Sequence, residues 1–216
     1  MMAPDRFTRP GRMNWLALLA VFSLIVAGCA QSPSGPERSE QGDGLTETGE
    51  SFQPATYEPL TAEQQAQFDT ALAASRNSRW QEADSDLSAL QASRPDVPFL
   101  KARLAWVRQQ QGRMEEAKNL YQQALKQDPS DTMAINNLAL IMQETGEFQA
   151  ASQLLKKGLR HDGDAPELHY NLAVLSELYL LDLETALEHY REYQRITATE
   201  DGEVKGWIVD LERRLQ

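Results

Sequence analysis

Apolar positions along the chain fall into three regimes. Residues 15–27, WLALLAVFSLIVA, run apolar except for Ser23, while residues 30–59 carry almost no aliphatic side chain apart from Leu45. From Thr61 onward apolar residues return at intervals among Ala, Leu, Gln and Glu, with Gly and Pro spaced between them, which predicts helices joined by short turns. The first run, 13 residues, is too short to span a bilayer, which needs about 20. It follows Arg6, Arg9 and Arg12 and has the length of a signal h-region. The middle regime, rich in Ser, Gly, Pro, Gln and Glu, cannot bury enough apolar surface to offset its ordering entropy. It is expected to be a disordered acidic tether with a root-mean-square span of roughly 30 Å. Phe52 and Tyr57 within it either dock or hang loose.

The third regime is periodic. Ala83, Ala117 and Ala151 are spaced by 34, and Ala186 follows after 35. Pro95 and Pro129 keep the same interval, with Gly163 next, as do Gly112 and Gly146. Trp80, Met114, Phe148 and Leu183 precede the alanines by three; Leu87, Tyr121, Leu155 and Tyr190 follow them by four. A period of this length is the mark of a repeat architecture, in which one unit cannot bury its apolar face alone. Small residues at Ala105, Ala117, Ala139 and Ala151 let antiparallel helices approach, and bulky ones fill the gap to the next unit. Gly112 and Gly146 suit a left-handed turn. Thr61–Gln64 and Asp164–Glu167 read as capping boxes, with Pro98 and Pro166 near first-turn positions. One extra residue lies between Ala173 and Asp182. Val204, Trp207, Ile208, Leu211 and Leu215 predict a last helix, either capping the stack or binding a partner.

This pattern resembles the tetratricopeptide repeat, most closely in the second unit (Ala105, Gly112, Ala117, Tyr121, Ala124, Pro129) and the third (Asn137, Leu138, Ala139, Gly146, Phe148, Ala151). The resemblance implies an all-α helical solenoid of four units, 64–97, 98–131, 132–165 and 166–200, within 61–200, and a C-terminal capping helix over 201–216. The first and last units are atypical, with Ser78 where Gly is usual and Tyr193 where a small residue is usual. The N-terminus carries a second resemblance. Val26-Ala27-Gly28-Cys29 is similar to the lipobox of bacterial lipoproteins, and Cys29 is the single cysteine of the chain. That implies a signal peptide over 1–28, cleavage after Gly28, and a covalent lipid on Cys29, with a linker over 29–60. With Ala30 rather than Asp next, it also implies an outer-membrane lipoprotein facing the periplasm. An ordinary secretory signal with an incidental cysteine, or an uncleaved anchor, is the alternative.

The charge narrows the partners. The whole chain has net charge −11; residues 1–28 carry three arginines against Asp5, so the remainder stands at −13. No Lys/Arg stripe is available to neutralise phosphates, which argues against nucleic acid. Attachment to a membrane would have to come from the lipid. One cysteine allows no intrachain disulfide. No catalytic fingerprint appears, and His161, His169 and His189 show no paired spacing. Glu115, Glu116, Asp84 and Asp86 read as solvated helix faces. The expectation is a protein that is not an enzyme, with no cofactor beyond the lipid, no metal and no small-molecule substrate.

What remains is a surface. In tetratricopeptide proteins the first helix of each unit lines a concave groove. Carried across, that groove holds Phe68 and Leu72, then Phe99, Ala102, Arg103 and Trp106. It continues with Met133, Asn136, Asn137 and Leu140, then Tyr170, Asn171 and Val174. The resemblance implies a protein partner, for which the acidic charge favours a basic surface. Asn amides can pair with both groups of an extended backbone, although Asn137 and Asn171 are ordinary in this family, and Leu140 or Val174 are alternatively core. Layout implies an adaptor that gathers cell-wall hydrolases, an assembly factor of the pilotin kind for pilin or secretin, or an accessory subunit of an envelope enzyme or transporter.

Overall fold

The computed structural model describes residues 56–197 and 201–216; Cys29, the apolar run and Phe52 lie outside them. Among the described residues the chain is helical throughout. The helices are α1 (Ala62–Arg76), α2 (Trp80–Ser93), α3 (Pro98–Gln110), α4 (Met114–Gln127), α5 (Thr132–Glu144), α6 (Phe148–His161), α7 (Pro166–Leu175), α8 (Leu183–Thr197) and α9 (Gly202–Arg214). A π-helical segment, Ser176–Leu180, extends α7. Consecutive helices pack as hairpins, and α3 also touches α5, as α5 touches α7. The odd-numbered helices of the four pairs therefore form one row and the even-numbered helices the other, a solenoid of stacked helix pairs closed by α9.

Local chemistry sets the helix starts. Thr61 and Gln64 form a reciprocal capping box on α1, with bonds of 3.0 and 3.2 Å. Asp131 caps α5 by accepting from the Ala134 N–H at 3.0 Å. Asp201 accepts from the Glu203 and Val204 amides of α9. The capping box expected at Asp164–Glu167 does not form. Pro166 occupies the first turn, so the cap position falls on Ala165, and Asp164 pairs instead with Arg195 at 2.9 Å.

The turns within each pair share one plan. Gly112 (φ 77°) and Gly146 (φ 80°) are left-handed, and Ser78 and Leu181, both at φ 57°, take the same role. The amide after the left-handed residue closes the turn: Arg79 onto Ala74 O, Arg113 onto Arg108 O, and Glu147 onto Met142 O. In the fourth pair Asp182 reaches back to Ser176 O, one residue further. The extra residue visible in the sequence is thus absorbed as a π-helical turn, the usual fate of a one-residue insertion in a helix.

The core follows the repeat. Ala83, Ala117, Ala151 and Ala186 are all fully buried, as are Tyr121, Leu155 and Tyr190. Gly158 stands in the tightest spot. A Cβ there would meet Leu168 Cδ1 at 2.8 Å and Ile135 Cγ2 at 3.0 Å, so a side chain at this position would force Leu168 and Ile135 to shift where α6 approaches α5 and α7. Val204, Ile208 and Leu211 of α9 join the cluster of Tyr190 and Tyr193, covering the end of the fourth pair.

Candidate partner-binding face

The row of odd-numbered helices carries the expected groove residues, but unevenly. At its start Phe68 and Phe99 meet edge to face (5.4 Å between centroids) and both are half-buried, as is Leu72. Tyr57 packs on Phe99 at 5.8 Å. The Arg94 guanidinium fixes the backbone beside Tyr57, donating to Glu58 O (2.6 Å), Pro59 O (3.3 Å) and the Asp96 carboxylate. Tyr57 is therefore docked rather than loose. Further along, Ala102 is buried, and Arg103 is half-buried with Nη1 on Met133 Sδ at 3.1 Å. Trp106 is half-buried and meets Trp80 edge to face at 5.4 Å. It touches the clusters of both the first and second pairs, so its ring holds neighbouring units together as well as flooring the face.

The second half of the row departs from the expected open floor. Asn136, Asn137, Leu140, Tyr170, Asn171 and Val174 are all buried. Asn171 donates to Asn136 Oδ1 at 2.5 Å and Asn136 to Asn137 Oδ1 at 3.4 Å. The amides thus bind one another across α5 and α7, because the successive helices bring equivalent positions together. Tyr170 lies in an aromatic group with Tyr190, Tyr193 and Trp207. The accessible part of the face is the stretch from Phe68 to Met133.

Three polar clusters escaped sequence reasoning. His169 and His189 face each other with Nδ1 atoms 2.9 Å apart, and His169 Nε2 lies 2.9 Å from Gly163 O. Burial first, then the charges of His169 and Lys156, push His189 down to about 4. The spacing of 20 residues gives no hint of the pair, which forms because α7 and α8 fold back on one another. Glu177, buried in the π-helical segment, accepts from Tyr190 Oη (3.2 Å) and Arg214 (3.1 Å), tying α9 to the fourth pair. Asp84 and Glu116 are not merely solvated. Asp84 bridges Arg108 (3.2 Å) and Arg113 (2.7 Å), and both arginines also reach Glu116. One repeat later the same interface holds Lys118 and Glu147 at 2.5 Å with the signs reversed. A shifted stacking would oppose Asp84 to Glu147, so the alternation favours the native order of units. Among the described residues no group of three His, Cys, Asp or Glu could hold a metal, and no helix is long and apolar enough to cross a membrane.

Stacked antiparallel helix pairs of near-constant length, small residues at each crossing and a left-handed turn in each pair define a helical-repeat protein. Models of the tetratricopeptide repeat match residues 68–131 and 108–175, together half of the chain. The chain belongs to the tetratricopeptide-repeat family, whose members are protein-interaction modules. No curated protein matches it. Solved structures of the same fold include Pseudomonas aeruginosa pilF, with TM-score 0.62 and 21% identity over 70% of this chain and 68% of that one. A tetratricopeptide repeat protein from Parabacteroides merdae gives 0.60 and 16%, over 71% and 62%. MamA from Desulfovibrio magneticus gives 0.60 and 13%, over 72% and 87%. At these identities the likeness is one of fold.

Proposed function

We propose that the chain is a non-catalytic adaptor, held by a lipid on Cys29 to the periplasmic face of the outer membrane, that seats a segment of a partner protein on its inner face. The observation that carries the seat is the half-open stretch Phe68, Leu72, Phe99, Arg103, Trp106 and Met133. Aromatic rings, a methionine and an arginine are the residue types that dominate interface energies. The anchor rests on the Val26–Cys29 pattern behind a short apolar run; stable attachment takes two or more acyl chains. The acidic chain favours a partner with basic residues beside its apolar anchors.

Photo-crosslinkers at Leu72 and Arg103, with one at Gln123 on the outer row as control, test the seat in living cells. The same adduct from the first two positions and not the third is expected; equal labelling at all three sinks it. Replacing Cys29 with Ser should leave the protein unacylated and in its precursor form, and maturation with outer-membrane fractionation of that variant would end the anchor reading. The identity of the adduct separates the roles: wall hydrolases indicate an adaptor, secretin or pilin an assembly factor, and an enzyme or transporter subunit an accessory role.

A further inference from the structure

The turn that joins α7 to α8 differs from its three counterparts in several ways at once. It is longer by one residue, taken up as the π-helical segment Ser176–Leu180. Its left-handed position holds Leu181 (φ 57°), where the second and third pairs place Gly112 and Gly146. A leucine in that conformation is strained, because its Cβ crowds the following carbonyl. Leu181 is also 75% exposed, so burial within the fold returns nothing for that strain. Beside it Tyr179 is 41% exposed and stacks on Phe148 with centroids 4.6 Å apart and rings 28° from parallel. Leu178, Leu180 and Leu183 pack half-buried against the core below. Tyr179 and Leu181 thus expose apolar surface at the turn of the fourth pair, beside the half-buried Phe148 and away from the Phe68–Met133 stretch.

The rim of the patch is acidic. Glu144 ends α5 four residues before Phe148, Asp182 follows Leu181, and Glu184 lies in the first turn of α8; all three are exposed. None forms an ion pair among the described residues. Asp182 is bonded to Thr185, and Lys156 acts on it at longer range. Glu147, nearer the ring of Phe148, is already engaged by Lys118 and Thr145. Exposed apolar side chains with carboxylates close by in the chain and in no ion pair complement apolar side chains flanked by cations. Strained, exposed and π-inserted backbone coincides with this patch and with no other turn among the described residues, a combination that concentrates at functional sites.

We propose that Phe148, Tyr179 and Leu181 form a second docking surface, separate from the inner face, for a partner segment with two or three apolar side chains flanked by Lys or Arg. Binding would cover Leu181 and Tyr179 and bring the flanking cations to Glu144, Asp182 and Glu184. The surface is independent of the inner-face seat: either can fail without the other.

The test uses the full mature chain and two labelled peptides that share a Leu-Phe-Leu core, one flanked by lysines and one by glutamates, read by fluorescence anisotropy at low salt. The lysine-flanked peptide should bind at least tenfold tighter than the other, and the preference should shrink in high salt. Leu181→Asn keeps the left-handed turn comfortable and removes the apolar tip. It should weaken the lysine-flanked peptide at least tenfold while leaving the Tm at or above that of the parent. Val209→Asn, which removes an exposed apolar side chain of α9, should change nothing. Unchanged binding by Leu181→Asn, equal loss with Val209→Asn, or equal affinity for both peptides would overturn the proposal. So would loss on Arg103→Ala in place of Leu181→Asn, which would put the peptide on the inner face. A parent dimer that Leu181→Asn converts to monomer in sedimentation would overturn it by making a second copy the occupant.

Discussion

The second and fourth helix pairs share one plan and resolve it differently. In the second, Gly112 turns left-handed at little cost, and a Cβ there would meet nothing within 4 Å. In the fourth, a one-residue insertion is wound into a π turn and Leu181 bears the strained angle in full view of solvent. Both pairs bury polar groups, Lys101 and Gln109 in the second, and the fourth adds the His169–His189 contact and Glu177 under Tyr190 and Arg214. Regular pairs show what stacking requires. The irregular one shows what stacking can carry when α9 closes its far side.

The largest effect should come from the aromatic pivot of the fourth pair. Tyr190 is fully buried, meets Tyr170 and Trp207, and donates to Glu177. Tyr190→Ala should destabilise by about 4 kcal/mol in urea denaturation, through lost packing and a less satisfied buried carboxylate. A cost under about 1 kcal/mol would mean that the fourth pair is not part of the cooperative unit.

Next in size is pH. His189 titrates near 4 in the folded chain against an ordinary value of 6.5. The unfolded chain therefore binds the proton first as pH falls. The stability tied to keeping this ring neutral is complete above about 6.5 and drains away between there and 4, by about 3 kcal/mol at most. His189→Gln should flatten that part of the stability–pH curve measured by thermal melting. A curve unchanged by the variant would show that this ring does not carry the acid sensitivity.

The smallest effects bear most directly on the two turns, and they have opposite signs. Gly112→Ala should cost about 1 kcal/mol, all of it backbone strain, since the added methyl meets open space. Leu181→Gly relieves the same strain against glycine's greater freedom when unfolded, and should be neutral to stabilising by up to about 1 kcal/mol. If both variants destabilise alike, the exposed leucine is holding the turn rather than being held by it.

Much of the solenoid was legible beforehand. The 34-residue spacing of Ala83, Ala117 and Ala151 announces helix crossings, and those side chains are indeed fully buried. Gly112 and Gly146 announced their turns, and the extra residue before Asp182 announced an irregularity, though not its π-helical form. The face was only half legible. Phe68, Phe99 and Met133 stay accessible, whereas Asn136, Asn137 and Asn171 turn their amides on one another. Position in a repeat says which helix face a residue occupies, and not how closely the next helix closes over it.

The sequence by itself determined the helix-pair repeat, the small residues at each crossing and the placing of the turns, because these are periodic and each depends on neighbours a few residues away. Only the tertiary structure decided which groups meet across units: His169 with His189, Asp84 with Arg113, Tyr57 with Phe99, and Glu177 with Arg214. Those contacts depend on the distance and rotation between stacked helices, which no short-range pattern encodes, and they distinguish this stack from any other built on the same period.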